Sequence, residues 1–127
     1  MPMVQNLDIY EHALALLSLK PSRFDNEDFY ERAPYHLAAF CLEAEEVNRW
    51  LSASPSVEFH PTYLSLEGEF PLSDRLAPVA ALYLASMLIM DEDPDRSAIL
   101  YDRYGDAMSD LHNGIPATLE SIKELYI

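Results

Sequence analysis

Residues 73–104 read SDRLAPVAALYLASMLIMDEDPDRSAILYDRY, and the reading of this stretch decides the fold. From Leu76 to Met90 nearly every position is apolar, including Val79, Leu82, Tyr83, Leu84, Met87, Leu88 and Ile89. A surface helix carries one apolar stripe, whereas a helix apolar all round belongs in the centre of a bundle. Ser73 is an N-cap residue and Asp74 suits the positive first turn, so the helix is expected over 74–92. The run then meets Asp91, Glu92, Asp93 and Asp95 around Pro94. Asp93-Pro94 reads as an N-cap followed by a first-turn proline, which opens a further helix over 94–112. The stripe of that helix is Leu100, Tyr104, Ala107, Met108 and Leu111, with Asn113-Gly114 and then Pro116 as the expected stop.

A corner between two helices explains the change of direction but not all of the charge. Asp93 and Asp95 sit at a positive helix start, while Asp91 and Glu92 face a negative helix end and cost about 0.3–1 kcal/mol each. Either the four acids keep the corner in water, or they line an acidic surface that meets a partner or repels DNA.

Working towards the N-terminus, residues 53–72 lose the helical period. Val57, Phe59, Tyr63, Leu64 and Leu66 alternate loosely, which predicts an extended loop or a short irregular hairpin. A connection this long in a compact domain is usually functional or mobile. Before it, Phe29, Ala33, Leu37, Phe40, Ala44, Val47 and Leu51 share one face of a helix expected over 26–52. Pro34 either kinks that helix or delays its start to Glu31. Leu7, Tyr10, Leu14 and Leu17 define a first helix over 7–18, capped by Asn6 or Asp8 and stopped by Pro21. At the other end, residues 115–127 carry an amphipathic tail through Leu119, Ile122, Leu125 and Tyr126. It is too short to hold a helix alone and needs a surface to dock on. The expectation is an all-α single domain over 1–127, a small bundle of about four helices with a long loop and a docking tail.

Composition narrows the function. A chain of 127 residues, half of them hydrophobic, buries roughly 65–70% of its unfolded surface without staples. The single Cys41 lies in an apolar helical pattern and reads as an inert buried thiol, which excludes a disulfide framework. The opening residues show no signal-peptide pattern, and no apolar run reaches the ~20 residues that span a bilayer, so no membrane partner is expected. Twenty-two acidic against eight basic side chains give a net charge of −14. That argues against a general phosphate-binding surface, since nucleic-acid affinity rests on Lys and Arg. His12, His36, His60 and His112 form no HxxxH or HExxH pair, and DEDPD lacks the glycine and terminal glutamate of a calcium loop. The three glycines form no phosphate cradle, and no GxSxG elbow occurs. No catalytic residue, metal or cofactor is expected, and the chain does not read as an enzyme.

Three stretches together carry a resemblance: ALALLSLKPS (13–22), DFYERAPYHLAAF (28–40) and FPLSDRLAPVAALYLASMLIMDEDPDRSAILYDRY (70–104). In order and spacing they resemble the small all-helical head–tail connector (adaptor) proteins of tailed bacteriophages and prophages. The resemblance implies a structural virion protein at the head–tail neck, present in the host cytoplasm during assembly. Such connectors form a closed homo-oligomeric ring, of about twelve subunits, beneath the portal protein. They extend the DNA channel and receive the neck or tail completion protein. DNA passes without specific binding, and acids such as Asp91, Glu92, Asp93 and Asp95 would keep the genome from adhering. Phe59, Tyr63, Leu64, Leu66 and Phe70 of the loop, with Leu119, Ile122, Leu125, Tyr126 and Ile127 of the tail, are the expected subunit or portal contacts. The alternatives are an acidic DNA-mimic inhibitor of the antirestriction or anti-CRISPR type, or another acidic regulator that binds one basic partner. A connector needs apolar edges on two sides; a mimic needs one continuous acidic face.

Overall fold

The computed structural model of the chain describes residues 4–20, 26–51 and 61–125, from 115 onward by the backbone alone. The helices are α1 (Asn6–Leu16), α2 (Glu27–Glu43), α3 (Glu45–Leu51), α4 (Ala77–Ile89) and α5 (Pro94–Leu125), with a 3₁₀ turn, Asp74–Leu76, leading into α4. The protein is all-α, and the helix that is apolar all round lies at the centre. Val79, Ala80, Ala81, Tyr83, Leu84, Ala85, Ser86, Leu88 and Ile89 of α4 are buried, because α1, α2 and α5 all pack against it. Ile9, Leu14, Leu37, Phe40, Leu76 and Leu100 complete the core.

The expected caps form around α4 and α5. Ser73 Oγ accepts from the Arg75 amide at 3.3 Å, and Asp93 Oδ1 accepts from the Arg96 amide at 3.1 Å. The buried Ser97 hydroxyl, one turn into α5, donates to the Ser86 carbonyl at 2.8 Å and fixes the corner from inside. At the start of α1 the capping differs from expectation. The Asp8 carboxylate accepts from the Gln5 amide at 3.0 Å, while Asn6 is buried and donates through Nδ2 to the Ser65 carbonyl at 2.9 Å. The end of α1 is a Schellman turn, with the Leu19 amide on the Leu14 carbonyl (2.8 Å) and the Ser18 amide on the Ala15 carbonyl (3.0 Å). Ser18 accordingly has φ 61°, where glycine is the usual occupant.

Two expectations are corrected. The helix expected over 26–52 is two helices, divided at Ala44 (φ −91°, ψ 0°), although Pro34 lies inside α2 without ending it. At the end of α2 Glu43 Oε1 accepts from the Tyr104 hydroxyl of α5 at 3.0 Å, and beyond the break α3 packs on α5. The helix expected to stop at 112 continues to Leu125. Gly114 does not adopt a positive φ, so the left-handed turn that would end it is not made. Residues 115–125 are thus the last turns of α5, a helix of about 48 Å, rather than a separate docking segment.

For the loop, expected as an extended segment or a short irregular hairpin, the described part takes the first form. Residues 52–60 lie outside the described residues. The remainder does not pair with itself as a hairpin: Glu69 forms an isolated antiparallel bridge with Gln5. The Asn6 amide donates to the Gly68 carbonyl at 3.0 Å and the Phe70 amide to the Val4 carbonyl at 2.8 Å. On the far side the Leu64 amide donates to the Pro34 carbonyl at 3.1 Å. These bonds fasten the loop across α1 and α2, and its apolar side chains fill the gap between them.

Candidate functional site

Burial divides the expected contact residues. Leu64, Leu66 and Phe70 belong to the chain's own core, at 8%, 3% and 2% exposure, and so offer no apolar edge to a partner. The alternation that suggested a sticky loop instead points inward. Tyr63 is exposed, with its ring edge-on to that of Tyr35, centroids 5.1 Å apart. Phe59, Tyr126 and Ile127 lie outside the described residues. Leu119, Ile122 and Leu125 fall on the backbone of α5. By helical register Leu119 and Ile122 continue the side that carries Tyr104 and Leu111.

The acids Asp91, Glu92, Asp93 and Asp95 are all exposed at the α4–α5 corner. The first two follow the end of α4, and the Asp93 side chain caps α5. Beyond the corner Asp102, Asp106 and Asp110 are exposed as well, at four-residue intervals along α5. Four residues advance the helix about 6 Å and return to nearly the same side, so the acidic corner extends into a stripe along α5. Arg103 stands beside it, exposed.

Several of the few cations are committed within the fold. The Arg96 guanidinium donates to the Leu16 carbonyl at 3.1 Å and to Ser18 Oγ at 3.4 Å, at the negative end of α1. Arg32 does the same for α4: Nη2 donates to the Leu88 carbonyl at 3.0 Å, and Nε to Asp28 Oδ2 at 3.0 Å. Arg49 pairs with Glu45 one turn away. The Arg96 guanidinium directs its hydrogen bonds to neutral oxygens and, among the described residues, pairs with no acid there, whereas Arg32 and Arg49 each offset one carboxylate. Arginine near a distant helix end has no local sequence signature.

The same holds for a tyrosine cluster between α2, α4 and α5. Phe40, Tyr83 and Tyr104 meet with ring centroids 5.1–6.1 Å apart, and Tyr101 covers Tyr104 from outside. Burial, and after it the Glu43 carboxylate, holds the Tyr83 and Tyr104 hydroxyls well above their ordinary titration range. The Cys41 thiol is buried and pushed up to about 12 by that burial, so it is not an activated nucleophile at neutral pH.

Among the described residues no three His, Cys, Asp or Glu side chains converge as a cation-binding group. Nor is any described helix long and apolar enough to cross a membrane. The arrangement offers an acidic helix surface and, apart from it, an open aromatic groove beside Tyr35 and Tyr63. Compared with known proteins, the chain matches no family, no curated protein and no solved structure.

Proposed function

We propose that the protein is a structural head–tail connector, assembling as a closed ring beneath a portal and extending the channel through which DNA passes. The observation that carries this reading is the exposed acidic stripe of α5, Asp95, Asp102, Asp106 and Asp110, continuous with the corner at Asp91–Asp93. In a channel wall such a stripe repels phosphate and lets the genome slide. The inward commitment of Arg32 and Arg96 removes cations to which phosphate would adhere. The helical bundle and its stretches resembling connectors support the same reading, with neighbouring subunits meeting through a heterologous interface that closes on itself. No chemical step is required of it, and the work is packing and electrostatics.

The regular four-residue spacing of Asp102, Asp106 and Asp110 favours a second reading, an acidic DNA-mimic inhibitor. Affinity capture from cells producing the protein, with partners identified by mass spectrometry, separates the two. Recovery of portal and neck or tail proteins is the outcome expected of a connector. Recovery of a nuclease or restriction subunit, with no portal, would make the acids a decoy for DNA.

A further inference from the structure

A groove of about 680 Å³ opens between the first turns of α2 and the segment 63–67. Pro34 and Leu66, both buried, lie at its floor, and the apolar surface it offers is aromatic, from Tyr30, Tyr35 and Tyr63. Tyr35 and Tyr63 are 60% and 52% exposed, yet their rings are set against one another at 72°. Two adjacent aromatic rings facing water form an apolar notch with polar rims, the surface that takes up flat, apolar rings. The groove is tied in place by the Leu64–Pro34 hydrogen bond and by the Asn6–Ser65 bond behind it. An occupant therefore pays little to order it.

Charge fixes what that occupant carries. Glu31 and Glu67 line the groove and are exposed. The cation in the lining, Arg32, already donates to Asp28 and to the Leu88 carbonyl. The groove thus presents carboxylates around an aromatic notch, in a chain of net charge −14. Polyproline-type segments match this surface, since they are extended, present pyrrolidine rings and enter with little ordering cost. We infer that the groove between Tyr35 and Tyr63 docks an extended, proline-containing segment of a partner protein, flanked by lysine or arginine that pairs with Glu31 and Glu67. The inference rests on this groove alone and stands apart from the connector reading, which rests on α5.

The test is selection of a random-peptide phage display library on the folded protein, with counter-selection on Tyr35→Ala and Tyr63→Ala. Both rings are exposed, so circular dichroism of the two variants should match the parent. The expected result is enrichment of peptides that combine proline with Lys or Arg. A synthetic peptide of the enriched sequence should bind about tenfold or more weakly to either tyrosine variant. Glu31→Gln with Glu67→Gln should weaken binding and flatten its salt dependence. Failure to enrich any peptide would overturn the inference. So would enriched peptides without proline or basic residues, or peptides that bind both tyrosine variants unchanged. Concentration-dependent self-association lost in Tyr63→Ala would also overturn it, by making a second copy of the chain the occupant.

Discussion

Replacing Tyr104 by phenylalanine removes one oxygen and keeps the ring that packs on Phe40, Tyr83 and Tyr101. The lost interaction is the hydrogen bond from its hydroxyl to Glu43 Oε1 at 3.0 Å, which joins the middle of α5 to the end of α2. A hydrogen bond to a charged group contributes about 1.5–3 kcal/mol when the partner is stranded by its loss. Glu43 is exposed, so water replaces the hydroxyl at the carboxylate and the expected cost falls to about 1 kcal/mol. For a domain of this size that is a fall of about 3–5 °C in Tm. Urea denaturation should show a lower midpoint with an unchanged slope, because the buried surface is the same. A double-mutant cycle with Glu43→Ala, which removes the acceptor, should return a coupling of about 0.5–1 kcal/mol. A Tyr104→Phe protein as stable as the parent, with no coupling to Glu43, would refute this account of how α5 is held. A loss above about 3 kcal/mol would also refute it, since the ring would then not be keeping its packing.

The remaining predictions concern strain, titration and charge. Ser18→Gly should stabilise by up to about 1 kcal/mol by relieving the left-handed backbone, despite losing the 3.4 Å contact to Arg96; a lower urea midpoint would contradict this. The raised Tyr10, Tyr83 and Tyr104 hydroxyls and the Cys41 thiol stay protonated in the fold after they would ionise in the unfolded chain. Stability is therefore complete below the ordinary values, 9.0 for the thiol and 10.0 for the phenols, and should fall as pH rises above them. His36 has the opposite sense: burial, and then Arg32, lower its pKa, so stability should decline as pH drops below 6.5, less steeply in His36→Gln. Replacing Asp91, Glu92 and Asp95 together by their amides should leave the unfolding free energy from urea denaturation within about 1 kcal/mol of the parent, or above it; a larger loss would assign these acids to stability.

The sequence was most legible where local rules agree. An all-round apolar helix can only be central, and Ser73 and Asp93-Pro94 mark helix starts that the structure repeats. The direction in which the loop's apolar side chains face was not legible, because its determinants are distant. Asn6 meets Ser65, and Pro34 meets Leu64, across stretches that no local window spans. Those bonds turn Leu64, Leu66 and Phe70 inward, although their alternation alone fits an exposed edge equally well. The end of α5 escaped for another reason: Asn113-Gly114 permits a left-handed stop but does not compel one, and glycine in a helix costs only about 1 kcal/mol. The acidic corner was visible as composition. Its extension along Asp102, Asp106 and Asp110 needed the helix to be placed, with its opposite side packed on α4.

Electron cryomicroscopy of the assembly captured with the tagged protein tests the central proposal most directly. The account predicts a closed ring of copies seated on a portal, with the α5 carboxylates facing an axial channel. A discrete complex with a DNA-binding enzyme, its basic cleft covered by that same face of α5, would contradict it.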